Sequence, residues 1–152
     1  MIRLHAAFEQ FMLDALVGCI NNRPSDLYRV TGARFPAHLR AEVCEFLVTG
    51  SRYFDVRNRD HLLEVLKGFL PPQNYLVQVV GKPAYKPGLE RLWALRNFAA
   101  HRSKRAKRRA LIAVSAKKMA SAGAWLSKRS RLDDLEDCLR QLATDIHAAA
   151  PY

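Results

Sequence analysis

The sequence has few cysteines and no long apolar run, and these shortages exclude several classes of protein. Its three cysteines, Cys19, Cys44 and Cys138, are odd in number and far apart. This pattern suits a reducing compartment, and it fits neither a disulfide framework nor a zinc cluster. No apolar run approaches the roughly 18 residues of a membrane span, so we expect no membrane partner. Glu9 and Asp14 interrupt the apolar N-terminus, which is therefore not predicted to be a signal peptide. A cytoplasmic protein is expected.

The sequence also lacks the motifs of several common enzyme classes. It contains no GxxxxGK[ST] phosphate-binding loop, no HExxH zinc motif and no GxSxG nucleophile motif. The five histidines are scattered along the chain, so no metal site and no cofactor are predicted. The acidic pairs Asp133-Asp134 and Glu136-Asp137 fall in the first turns of a predicted helix, where the helix dipole favours anions. We assign them to helix stability.

The other features of the sequence predict one all-α globular domain that spans residues 1–152. Hydrophobic residues make up 49% of the 152 residues and charged residues 26%, a composition that supports a core without disulfides. Apolar spacings of three and four predict a bundle of five or six helices. Helices are expected over residues 2–22, 36–54, 58–70, 87–101 and 104–119, with a last helix that Ser130 and Asp133 would cap. Residues 25–35 are predicted to be a loop, and residues 71–88 a long connection with at most one short turn of helix. Ser121-Ala122-Gly123 is expected to break the helix before it.

Acidic residues are absent from one long stretch of this basic protein. The formal net charge is +11, and the stretch from Arg91 to Arg131 holds 13 basic residues and no acidic one. Six of the basic residues fall within eight positions: Arg102, Lys104, Arg105, Lys107, Arg108 and Arg109. The block is either a solvated face or a surface that contacts the phosphates of a nucleic acid, and a membrane surface is less favoured. No aromatic residue interrupts it, and Trp125, the nearest one after it, is expected to pack in the core.

A short segment just before the basic block combines residue types that suit RNA cleavage. Arg96, Asn97 and His101 lie within six positions at a predicted helix end. A histidine can accept or donate the protons of the reaction, and an arginine can stabilise the charge of the transition state. At about 100° per residue, Asn97 and His101 share a face, whereas Arg96 and His101 lie about 140° apart. Arg96 and His101 can meet through the length of the arginine, through fraying of the helix, or across a symmetric dimer.

With these residues the chain resembles the HEPN superfamily, in particular prokaryotic nucleases of the RiboL-PSP-HEPN or toxin-like type. The resemblance rests on Arg-Asn-x-x-x-His preceded by LERLWALRN, residues 89–97. It extends loosely to three further segments: AAFEQFMLDAL, GSRYFDVRNRDHLLEVLKGF and AGAWLSKRSRLDDLEDCLRQLATDI.

The resemblance implies a metal-independent endoribonuclease whose two Arg-x-x-x-x-His motifs face each other across a homodimer interface. Arg96, Asn97 and His101 would then be catalytic, and the basic block would hold the RNA. It also implies a role in a bacterial toxin–antitoxin or phage-defence system, with an antitoxin or another defence protein as a possible partner. Ser103 stands where some family toxins have a tyrosine that an antitoxin nucleotidylates, so that form of control is not expected. Arg102 replaces a glycine that is common after the histidine. The alternatives are a non-catalytic RNA-binding module and a protein-interaction module.

Overall fold

Helices make up the regular secondary structure of the part of the chain that the structure describes. This computed structural model describes residues 1–128 and 130–151, and none of these residues lies in a strand. The helices are α1 (Ile2–Asn22), α2 (Pro24–Thr31), α3 (Ala41–Thr49), α4 (Arg59–Phe69), α5 (Tyr75–Gly81), α6 (Lys86–His101), α7 (Lys104–Ala113), α8 (Ala122–Leu126) and α9 (Arg131–Ala149), with a 3-10 turn at Pro83–Tyr85. The predicted all-α class is confirmed, although the described residues form more helices than the five or six expected.

Helix α6 occupies the middle of the bundle. It packs against α1, α4, α7, α8 and α9. Leu89, Leu92, Leu95 and Phe98 from this helix are all buried in the core, as their spacing predicts. Because α6 carries the Arg-Asn-x-x-x-His segment, this core fixes the position of that segment.

The first predicted connection contains a helix. Residues 25–35 are expected to be a loop because Asn21-Asn22-Arg23-Pro24 indicates the end of α1, but α2 begins at Pro24. Proline fits the first turn of a helix, where its missing N–H would have no partner, so the same residue ends one helix and opens the next. The buried side chain of Leu27 anchors α2 to the core. The prediction of a loop is therefore wrong over most of this segment.

Two other predicted segments, 36–54 and 71–88, also differ from the structure. The helix expected from Pro36 to Phe54 is shorter, because α3 begins at Ala41 and ends before Gly50, which adopts a left-handed φ of 56°. The proline-rich segment 71–88 contains α5, whose first turn Asn74 caps by accepting a hydrogen bond from the N–H of Leu76, at 2.9 Å. A short helix between prolines has too few residues to show a clear apolar period.

The basic helix and its successors also differ from expectation at their ends. Helix α7 ends at Ala113 and does not reach Met119. Ser121, expected to break a helix, instead caps the start of α8, because its Oγ accepts a hydrogen bond from the N–H of Ala124 at 3.0 Å. Ser130 precedes α9 with a left-handed φ of 40° and forms no side-chain cap. The predicted capping box is therefore absent.

Among the described residues, none of the helices combines the length and the apolar character that crossing a membrane requires.

Candidate functional site

A sharp corner joins α6 to α7 and positions both helices at the site. Arg102 adopts a left-handed φ of 47° and ends α6. Ser103 then caps α7, because its Oγ accepts a hydrogen bond from the N–H of Ala106 at 3.1 Å. Ala106 and Ala110 are buried on the inner face of α7. Small side chains on this face let α7 pack closely against α6.

Helix α7 divides the basic block between two surfaces. At about 100° per residue, Arg105 and Arg109 share one face of the helix, and Lys107 and Leu111 share the opposite one. Each pair lines a different groove of the molecule. Arg102, Lys104 and Arg108 line neither groove. The predicted RNA-binding residues are therefore divided between the two grooves and the surface outside them.

The groove on the Arg105 side, called the first groove here, contains the predicted catalytic residues. It has a volume of about 1070 Å³ and lies between residues 55–64, α6 and α7. Arg96, Asn97 and His101 all line it. The three residues that the sequence singles out are thus neighbours on one surface of a single chain.

Arg96, Asn97 and His101 differ in their contacts and in their exposure to solvent. Arg96 Nη1 donates a hydrogen bond to Asn97 Oδ1 at 3.0 Å, and both side chains are half-buried. His101 is exposed at the last position of α6. Because Arg96 and His101 face the same groove, the angle of about 140° between them does not by itself require a second chain.

The first groove carries as many carboxylates as arginines among the residues that line it. Its arginines are Arg57, Arg96, Arg105 and Arg109, and its carboxylates are Asp55, Asp60, Glu64 and Glu90. A balanced set of charges attracts a polyanion weakly at long range. It can still orient one phosphate locally, where an arginine lies closer to that phosphate than a carboxylate does.

A second histidine in the first groove has no signal in the sequence. His61 lines the groove together with His101, although 40 positions separate the two in the chain. Its Nδ1 accepts a hydrogen bond from the N–H of Arg57 at 3.2 Å. In that contact the proton of the neutral imidazole resides on Nε2. Only the packing of α4 near α6 brings the two histidines together.

One wall of the first groove is tied to the core by hydrogen bonds to Val56. The N–H of Val56 donates to Glu9 Oε1 at 3.2 Å, and its carbonyl oxygen accepts from Trp93 Nε1. Val56 itself is buried. Segment 55–58 is therefore held to α1 and α6 at once, and this restrains the wall opposite the motif.

A buried histidine lies behind this wall. His5 is 2% exposed, its Nδ1 lies 3.0 Å from Glu9 Oε2, and its ring packs edge-on against Trp93. Burial, with the positive charge of Arg96 as a further cause, lowers the pKa of His5 to about 4. Burial also raises the pKa of Glu9 above its ordinary value. His5 is consequently neutral at physiological pH, and its Nε2 has no hydrogen-bond partner among the described residues.

The opposite face of α7 borders a smaller groove, called the second groove here. It has a volume of about 580 Å³ and lies between α7, residues 116–120, α8 and the start of α9. Its charged lining residues are Lys107, Lys117, Lys118, Lys128 and Arg131. Trp125 also lines it, and this half-buried ring packs against the core as well.

Within the described ranges 1–128 and 130–151, no three His, Cys, Asp or Glu side chains form a group that could hold a metal ion. Comparisons with family models, with curated proteins and with solved structures return no match for this chain.

Proposed function

We propose that this chain is an HEPN-type endoribonuclease that cleaves RNA at the first groove. The observation that carries the proposal is the shared location of Arg96, Asn97 and His101, which line one groove at the corner between α6 and α7. Arg105 and Arg109 line the same groove and supply cations for the phosphates on either side of the cleaved bond.

The proposed reaction is a transesterification within the RNA. An imidazole accepts the proton of a ribose 2′-hydroxyl, the oxygen attacks the adjacent phosphorus, and the bond to the 5′-oxygen breaks. The leaving oxygen takes up a proton, and the upstream product ends in a 2′,3′-cyclic phosphate. His101 transfers one of these protons, and His61 is the candidate for the other because it lines the same groove. Arg96 stabilises the charge on the pentacoordinate phosphate, and Asn97 orients Arg96 through their hydrogen bond.

The proposal includes a homodimer that shares the first groove, as the resemblance implies. Ile112 lines the first groove and is 69% exposed. A dimer that shares this groove would cover the side chain and remove its apolar surface from water. A role in a bacterial defence or toxin–antitoxin system follows from the same resemblance.

The carboxylates of the first groove favour a second candidate function, the binding of a protein partner such as an antitoxin. Asp55, Asp60, Glu64 and Glu90 repel phosphates, whereas a protein surface can match a mixed set of charges. In this alternative the groove binds a partner and no RNA is cut.

The decisive experiment is the incubation of labelled single-stranded RNA with the purified protein and with His101→Ala. His38→Ala is the matched control, because His38 is exposed and lines neither groove. Cleavage is expected with the wild type and with His38→Ala, and not with His101→Ala. It is expected to survive EDTA and to leave a cyclic phosphate, since no metal takes part in the proposed steps. A 3′-hydroxyl end would contradict this mechanism, and the absence of cleavage by the wild type would favour the protein-binding alternative.

A further inference from the structure

The second groove differs from the first groove in the sign of its charges. Lys107, Lys117, Lys118, Lys128 and Arg131 line it, and no carboxylate is among its described lining residues. The four lysines are exposed. Five cations around a groove of about 580 Å³ repel one another, and an anionic ligand relieves that repulsion.

An aromatic ring lies among these cations. The Arg131 guanidinium lies over the Trp125 ring, with Cζ 4.4 Å from the ring centroid. Arg131 Nη1 also donates a hydrogen bond to the carbonyl oxygen of Trp125 at 3.1 Å. These two contacts hold the guanidinium plane in place beside the indole. Nucleic-acid bases stack on both kinds of surface, the aromatic ring and the arginine plane.

We propose that the second groove binds single-stranded nucleic acid. The lysines contact phosphates, and the Arg131 guanidinium, which lies over the Trp125 ring, stacks on a base. An acidic polypeptide would use the cations but would gain nothing from a stacking platform, whereas a duplex has no exposed base faces. The inference deepens the proposed function, and rests on it, in one respect: RNA is the strand that the first groove would cut.

Binding is measured first with a short oligodeoxythymidylate, which lacks the 2′-hydroxyl that the proposed cleavage requires. The oligonucleotide is expected to quench the fluorescence of Trp125. Trp93 lines the first groove and is only 3% exposed, so Trp125→Phe separates the two signals. We expect the quenching to be lost in Trp125→Phe. Quenching that persists in this variant would place the strand in the first groove and overturn the inference.

Matched pairs of substitutions test the cations, with affinity measured by the anisotropy of a labelled oligonucleotide. Lys117→Ala with Lys118→Ala removes two charges from the second groove, and Arg40→Ala with Arg52→Ala removes two exposed charges that line neither groove and lie outside the basic block. The first pair is expected to lower affinity about tenfold or more and to flatten the salt dependence by roughly 0.7 per lost phosphate contact. The second pair is expected to change affinity less than about threefold. Equal losses in the two pairs would overturn the inference.

Competitors identify the class of ligand. With His101→Ala, which is not expected to cut RNA, we expect oligouridylate to displace the labelled strand, and polyglutamate of equal charge and a DNA duplex to displace it poorly. Equal competition by polyglutamate would show a general anion site and overturn the inference. Uncleaved RNA together with binding at Trp125 would remove the nuclease proposal alone. Cleaved RNA together with unchanged affinity in Lys117→Ala, Lys118→Ala would remove the second-groove inference alone.

Discussion

On one face of α7, Arg105 and Arg109 lie in a groove with four carboxylates and two histidines, and on the opposite face Lys107 lies among further cations beside Trp125. The arginines and carboxylates of the first groove balance formally, whereas the charges of the second groove are all positive. Affinity for a polyanion depends on net positive potential. Reaction at one phosphate depends on a few well-placed groups. The two grooves therefore suit different tasks, although residues of α7 line both.

The strongest test of this comparison separates rate from affinity. His101→Ala is expected to lower the rate of RNA cleavage by about a hundredfold to ten-thousandfold, because it removes a proton-transfer group. Its affinity for oligodeoxythymidylate should stay within about twofold, since His101 does not line the second groove. The measurement is a single-turnover assay at saturating protein, with affinity measured in parallel. If folded His101→Ala cuts RNA as fast as the wild type, the assignment of chemistry to the first groove is wrong.

A dimer that shares the first groove would add another difference between the two faces of α7, because only the face that borders the first groove would lie at an interface. Ile112→Glu places a charge at the exposed edge of the first groove and is expected to raise the dimer dissociation constant at least about tenfold. Phe46→Glu is the control, because Phe46 is an exposed hydrophobic residue on α3 outside both grooves. Analytical ultracentrifugation measures both. A wild-type monomer at micromolar concentration, or dissociation by Phe46→Glu alone, would contradict the shared groove.

The histidine behind the first groove makes stability depend on pH. The pKa of His5 is about 4 in the folded protein, below its ordinary value of 6.5. Between these values the unfolded chain binds a proton that the folded chain does not, so stability falls as the pH falls through this window. We expect the free energy of unfolding of the wild type to drop by about 2 kcal/mol between pH 7 and pH 5 from this source, a drop that His5→Phe lacks.

Glu9 provides the control for this pH effect. Its pKa is raised by burial, so the folded protein takes up its proton at a higher pH than the unfolded chain does, and this opposes the effect of His5. Glu9→Gln should therefore steepen the loss of stability on acidification, as measured by urea unfolding at several pH values. Identical pH profiles for the wild type and His5→Phe would show that His5 is not held neutral by burial.

The sequence predicts the long helices and the motif better than it predicts the surfaces. The apolar spacing of Leu89, Leu92 and Phe98 is a local property, and α6 forms where it predicts. Helices α2, α5 and α8 are short, with five to eight residues, and they depend on caps and on packing against the core more than on their own period.

The composition of each groove is a tertiary property. His61 joins His101 only because α4 packs near α6. Trp125 is expected to be a core residue, and it does pack on the core, but the turn after α7 also brings it beside Lys107. No local pattern in the sequence indicates either contact, because both join residues that are distant along the chain.

The smallest of these effects is expected at Arg102, in the corner between α6 and α7. Arg102 adopts a left-handed φ of 47°, a conformation that costs a non-glycine residue about 1–2 kcal/mol. Arg102→Gly is expected to raise the free energy of unfolding by about 0.5–1 kcal/mol, because part of the relief is offset by the greater flexibility of glycine in the unfolded chain. Arg102→Ala removes the same charge and keeps the Cβ, so it should not stabilise the protein. Thermal unfolding of the three proteins measures the difference. Equal stability of the Gly and Ala variants would mean that the corner is unstrained, and that the exposed end of α6 is fixed by the packing of α7 instead of by this residue.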